Sequence, residues 1–270
     1  MNKLTRSASN FPNHKTVYGP VKSWRFGLSL GVDPIFVTST CSFNCVYCQL
    51  GQIQDVTEQV KEYVPTQQIL EDFKEVMDQP MDVLTYSGSG EPSLASNLDE
   101  MIHGIRQLKP DLTQLILTNG THLRIPKVKE NLLKLDRVII KLDASDQLTL
   151  NRINRAHKNI RIEEIVAGIL EFKQAFQGKI DIQMMLMNIN TNKVDELALL
   201  LKKMAPNTVQ LNTPTRPYPL SWHRENRGNH EKIFSYPVQE LRPITKEQAR
   251  KVESFLKDQT GLNILSVYRD

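Results

Sequence analysis

Six short apolar runs recur along the chain, separated by stretches of helical periodicity, and this alternation limits the fold more tightly than composition does. PIFVTST (residues 34–40), DVLTYSGSGEP (82–92), QLILTNG (114–120), RVIIKLDAS (137–145), DIQMMLMNIN (181–190) and TVQLNTPTRP (208–217) each read as a buried strand ending in a polar turn. Between them lie QQILEDFKEVM, LDEMIHGIRQL, VKENLLKL, IEEIVAGILEFKQAF and VDELALLLKKM, whose apolar residues fall three and four apart, as one buried helix face requires. Strand and helix in alternation predict an α/β fold with a parallel sheet and right-handed crossovers. With 270 residues, 40% of them hydrophobic, the chain can bury one substantial core.

Two flanks break the alternation. Residues 1–33 are polar and punctuated by Gly19, Pro20, Gly27 and Gly31, which predicts a lead-in packed under or across the sheet of residues 34–217. Residues 218–270 are predicted to form a C-terminal lid loop and helix packed on that unit. The loop is drawn from the Pro-rich, aromatic-dotted segment 214–243, which is longer than an ordinary connection, and Tyr218, Trp222, His223, Arg224 and Arg227 are its candidates for ligand contact. ITKEQARKVESFLKDQ then reads as an amphipathic helix and NILSVYR as a short strand.

No apolar run approaches the ~18 residues of a membrane span, and the first twenty residues lack the apolar core of a secretion signal. No membrane association and a cytoplasmic, reducing location are therefore expected. The net charge of +4 is spread along the chain, which fits a solvated surface and leaves a polyanionic or nucleotide partner open.

All three cysteines, Cys41, Cys45 and Cys48, stand within TSTCSFNCVYCQLG. Three is odd, so full internal disulfide pairing is excluded, and so tight a spacing suits a shared metal. Three thiolates leave one position of a zinc ion or a four-iron cluster without a cysteine. A structural zinc site is normally closed by four protein ligands, and no neighbouring CxxC or HxxxH supplies the fourth. A cluster held by three thiolates would keep one iron open to a small ligand. A noncatalytic iron–sulfur or zinc protein stands as the alternative to an enzyme.

CSFNCVYC, with Tyr47 before the last cysteine, resembles the CxxxCxxC signature of the radical S-adenosylmethionine (radical SAM) superfamily. The resemblance covers roughly residues 35–217 and implies a partial (β/α)6 TIM-like barrel, a [4Fe-4S] cluster on the three cysteines and S-adenosylmethionine (SAM) on the fourth iron. SGSGEP, residues 87–92, is similar to the family's GGEP element, so Gly88, Ser89, Gly90 and Glu91 are implied to receive the SAM ammonium; Ser89 stands where a glycine is commoner. By the same resemblance Asn119 lines the barrel mouth, and Asp143, beside Lys141 on one strand face, bonds the ribose or a substrate. Arg152 or Arg155 pairs with the SAM carboxylate, and Asn212 contacts adenine or ribose. Implied too is reductive cleavage of SAM to a 5′-deoxyadenosyl radical that abstracts hydrogen from a substrate, with an external one-electron donor such as flavodoxin or ferredoxin.

The substrate stays open among a tRNA base, a protein or peptide, and a small molecule. VYGPVKS, SLGVDP and CVYCQLG resemble the wyosine-base synthase branch, whose archaeal members carry a second cluster that three cysteines cannot supply. In size and cysteine count the chain is also similar to the glycyl-radical-enzyme activases.

Overall fold

The computed structural model describes residues 15–215, 217–228 and 235–268; residues 1–14 of the lead-in and residues 216 and 229–234 of the lid segment lie outside them. One curled, half-barrel sheet of eight strands organises the chain. In spatial and chain order these are β1 (Val17–Ser23), β2 (Gly27–Val32), β3 (Val83–Tyr86), β4 (Thr113–Thr118), β5 (Arg137–Lys141), β6 (Lys179–Met185), β7 (Thr208–Asn212) and β8 (Ile264–Ser266). Strand β1 pairs antiparallel with β2, and every later neighbour is parallel. Strands β2 to β7 supply the expected six parallel strands, and β1 and β8 extend the sheet at its two edges.

The helices α1 (Thr66–Lys74), α2 (Leu98–Leu108), α3 (Pro126–Leu132), α4 (Gln147–Ile153), α5 (Ile162–Ala175), α6 (Val194–Met204) and α7 (Lys246–Thr260) occupy the connections and the C-terminal region. Helix α2 buries Leu98, Met101, Ile102 and Ile105, one stripe at three- and four-residue spacing, and α6 does the same with Leu197, Ala198, Leu201 and Met204. One face of the sheet packs on the helices, with Leu84 and Tyr86 of β3 in that core, and the other turns into the half barrel, where Val83 clusters with Leu115 and Ile139, so all four residues of β3 are buried. Helix α7 opens on a reciprocal capping box between Thr245 and Gln248 and closes on Gly261 at φ 68°, a left-handed position natural to glycine.

One sequence expectation is corrected. PIFVTST is not the first barrel strand; that strand is Gly27–Val32, inside the lead-in. The strand ends at Asp33, whose Oδ1 accepts the N–H groups of Ile35 and Phe36 and turns the chain out of the sheet. Ile35 and Phe36 are buried in a loop instead, with Phe36 held at φ 44°. Gly31 interrupts the apolar run because the Tyr18 ring lies 2.2 Å from where a Cβ would stand.

Candidate active site

The cysteines lie on the long connection between β2 and α1. Thr40–Cys41 pairs in parallel with Asp55–Val56, and two tight turns follow, Cys48 N–H to the Cys45 carbonyl at 3.1 Å and Gly51 N–H to the Cys48 carbonyl at 3.0 Å. The loop is clamped from outside by the end of α4: Asn44 N–H donates to the Asn154 carbonyl and Val46 N–H to the Ile153 carbonyl, both at 2.9 Å. All three thiols are free and partly exposed. Among the described residues they are not already gathered into a metal-binding group, yet each lies within the electrostatic reach of another.

Their chemistry fits a soft metal cluster. Burial pushes the Cys45 thiol up to about 12 and raises Cys41 and Cys48 as well, so thiolates here require a cation to form. Donors already face the sulfurs. Phe43 N–H and Asn154 Nδ2 reach Cys41 Sγ and Cys45 Sγ, each at 3.4 Å, and Asn119 Nδ2 stands 3.7 Å from Cys41 Sγ. A set of three thiols without a fourth protein ligand matches a cluster with one open iron better than a closed zinc site.

The SGSGEP turn leaves the end of β3 and lies directly against this loop. Thr40 N–H donates to the Ser89 carbonyl at 3.1 Å, and Glu91 N–H donates to the Thr40 carbonyl at 2.9 Å. A Cβ on Gly90 would stand 1.7 Å from the Thr40 carbonyl oxygen, so glycine is required for the two motifs to meet. Glu91 is 3% exposed, and protein donors reach both of its oxygens: Ser93 N–H at 3.0 Å, Thr118 Oγ1 at 2.6 Å and Asn119 N–H at 2.7 Å. Burial raises its pKa and these three bonds oppose the rise. Its carboxylate therefore staples the end of β3 to the end of β4. Asn119 continues the chain of contacts, with Nδ2 donating to Ser42 Oγ at 2.7 Å inside the cysteine loop.

A second cluster forms where β5 ends. Lys141 Nζ lies 3.0 Å from Asp143 Oδ1 and 5.0 Å from the centre of the Tyr47 ring, while the Tyr47 hydroxyl donates to Asp143 Oδ2. Asn154 Nδ2 bonds the same Oδ2 at 2.8 Å, and Met185 N–H donates to Oδ1 at 2.7 Å. Burial, with the Asp143 charge beside it, pushes the Tyr47 phenol well up. Of the two arginines, Arg152 is exposed on α4. Arg155, at φ 45°, is exposed as well but bonds the side chain of Tyr218, which itself lies within reach of the Cys45 and Cys48 charges.

Sequence reasoning missed Asp33 and Asn154. Asp33 Oδ2 accepts Ser89 N–H at 2.9 Å, Ser89 Oγ at 2.6 Å and Arg227 NH1 at 3.0 Å, so one buried carboxylate joins the SGSGEP turn to the C-terminal segment. The VDP sequence after an apolar run is a turn signal that points to Asp33; no local signal marks Asn154. The C-terminal segment is itself docked on the cysteine loop: Gln49 Nε2 donates to the Asn226 carbonyl at 3.0 Å, Asn226 Nδ2 to the Gln49 carbonyl at 2.9 Å, and His223 N–H to the Leu50 carbonyl at 2.8 Å.

Beneath these loops is a cavity of about 470 Å³, within the size range of small-molecule sites. Cys48 and Tyr47 line it on the side of the cysteine loop, and Gln183, Met185 and Asn212 line it from β6 and β7. Both sheet edges border it, through Val21 and Ser23 of β1 and through Val267 just after β8, so it lies across the gap of the half barrel.

The Radical SAM superfamily model matches residues 35–204, more than half of the chain. The chain belongs to the radical SAM superfamily. Within it, the chain is 47% identical over 218 residues to the UPF0026 protein slr1464 of Synechocystis, covering 79% of this chain and 81% of that one. It is 35% identical to a UPF0026 protein of Helicobacter pylori, over 76% of this chain and 68% of that one. A more distant relative is the S-adenosylmethionine-dependent nucleotide dehydratase of Lacinutrix mariniflava, 29% identical over 62% of this chain and only 34% of that protein. Among solved structures, Streptococcus suis SuiB bound to S-adenosylmethionine superposes with a TM-score of 0.63 over 89% of this chain and 50% of SuiB, at 15% identity. TYW1 with a lysine-pyruvate adduct bound gives 0.57 over 87% and 75%, at 16% identity. These structures share the fold. Radical SAM membership implies SAM and an iron–sulfur cluster as cofactors and makes the chain an enzyme that needs an outside electron source. Among the described residues no helix is long and apolar enough to cross a membrane.

Proposed function

We propose that Cys41, Cys45 and Cys48 hold a [4Fe-4S] cluster whose open iron takes SAM, and that the enzyme uses it for hydrogen abstraction from a small substrate in the adjoining cavity. When bound, the reduced cluster would supply one electron to the SAM sulfonium, whose C5′–S bond would break to give methionine and the 5′-deoxyadenosyl radical, a chemistry that belongs to the cofactor. The observation that carries the reading is the pairing of Thr40, next to Cys41, with Gly90 of the SGSGEP turn, in a loop whose Cys48 lines the cavity.

The chain's own residues then have separate tasks. The SGSGEP backbone, held open by Gly88 and Gly90, receives the amino-acid end of SAM, with Ser89 fixed by Asp33 and Glu91 holding the turn in shape. Asn119 and Asp143, just past the ends of β4 and β5, are polar groups that reach the cluster loop, with Lys141 and Tyr47 fixing the Asp143 carboxylate. Asn212 takes the nucleoside part from β7, and Arg155 rather than the exposed Arg152 is placed for the SAM carboxylate. The segment around Tyr218 and His223 covers the cysteine loop and keeps water from it. A flavodoxin or ferredoxin is the fitting electron donor.

A concave, partly open cavity of this size with many neutral polar groups favours a nucleotide or nucleobase over a folded protein partner. The nucleotide named for the Lacinutrix relative agrees. The test is the EPR spectrum of the reduced, reconstituted enzyme: added SAM is expected to change the signal by ligating the open iron, and a signal indifferent to SAM contradicts the reading.

A further inference from the structure

The cavity is asymmetric in charge. One end meets Tyr47 and Cys48, and the other is lined by Trp24, Arg25 and Phe26 at the turn between β1 and β2. Among the described residues, Lys22 and Arg25 are its charged lining residues, and no aspartate or glutamate lines it. Arg25 is fixed in place, with NH1 donating to Gln210 Oε1 at 3.0 Å and the guanidinium 5.4 Å from the Trp24 ring and 5.7 Å from the Phe26 ring. Its Nε is buried without a hydrogen-bond partner among the described residues.

Asp181, the carboxylate whose charge attracts Arg25, is bonded to other groups. Asp181 is held by Arg137 at 2.7 Å and by Gln210 at 2.9 Å, and it forms no ion pair with Arg25 among the described residues. Burial lowers the Arg25 pKa to about 10 against the attraction of Asp181, which is the signature of a cation short of counter-charge. Phe26 packs against the cluster of Val83, Leu115 and Ile139, and Arg137, the first residue of β5, lies 5.3 Å from the Phe26 ring. Arg25 thus sits at the N-terminal ends of the strands while the cysteine loop sits at their C-terminal ends, on the order of 15 Å away for strands of this length.

We propose that this lower end of the cavity is an anion subsite, in which Arg25, with Lys22 at its rim, binds the phosphate or carboxylate of the substrate. Binding there turns the rest of the molecule toward Cys48, so that contact far from the reacting carbon sets its orientation. The subsite deepens the functional reading above and rests on it for the reaction, but not for the binding.

The test titrates the full-length chain with guanosine 5′-monophosphate, benzoate and guanosine, following the Arg25 Nε–H resonance by NMR and the affinity by calorimetry. A phosphate substrate is expected to show as a shift by guanosine 5′-monophosphate, a carboxylate substrate as a shift by benzoate, and guanosine leaves the resonance in place. The effective anion is expected to bind about tenfold more weakly to Arg25→Gln, and Arg25→Lys recovers most of the affinity. The proposal is overturned if neither anion moves the resonance, if guanosine moves it equally, or if the two variants lose affinity alike. The titration needs neither SAM nor reductant, so a wild-type chain that fails to cleave SAM defeats the radical reading without touching this one.

Discussion

Gly90 and His122 carry opposite kinds of constraint at the scale of one residue. At Gly90 the Thr40 carbonyl occupies the space a side chain needs, so Gly90→Ala forces the cysteine loop off the SGSGEP turn. Its expected result is a chain that folds but assembles much less cluster, read as iron and sulfide per chain after reconstitution. At His122 the ring is 3% exposed, Nδ1 meets Thr121 Oγ1 at 2.9 Å and Nε2 is buried without a partner. Burial lowers its pKa to about 4 from 6.5. The unfolded chain therefore binds the proton first, and the stability held above about pH 6.5 is lost as the pH falls toward 4. The shift corresponds to about 3 kcal/mol at its full extent. Melting curves of wild type and His122→Gln should converge across that window as the pH drops; parallel curves would remove His122 as the cause.

The next scale joins elements, and Asp33 is its clearest case. It ends β2, fixes Ser89 after β3 and pairs with buried Arg227 in the C-terminal segment. Asp33→Asn leaves the Arg227 charge without its partner, an expected loss of about 3 kcal/mol. The segment around Tyr218 to Gly228 should then be cut by protease well before the barrel; uniform cleavage would show that the segment is held by other contacts. Elements were legible in the sequence where burial is uniform. Five of the six expected strands stand where their apolar runs are, because one sheet face is buried under helices and the other inside the half barrel. The first was not, because Gly31 breaks its run to admit Tyr18, whereas PIFVTST is apolar for a different reason, burying Ile35 and Phe36 in a loop. The cysteines were legible because they are adjacent in the chain. Asn154 was not, since its link to Cys45, Tyr47 and Asp143 exists only once α4 is packed on the loop.

Across the whole molecule, β1 and β8 narrow the gap of a half barrel, and the cavity between them receives the cysteine loop at one end and Arg25 at the other. Under the proposed function, electron entry and radical formation would take place at the C-terminal ends of the strands and substrate anchoring at their N-terminal ends. The central claim is that the three cysteines make SAM a source of radicals. It is tested most directly by anaerobic reconstitution with iron and sulfide, reduction with dithionite in the presence of SAM, and an assay for 5′-deoxyadenosine beside a Cys48→Ala control. The account predicts 5′-deoxyadenosine from the wild type and none from the variant; a four-iron cluster that assembles in the wild type and yields none would contradict it.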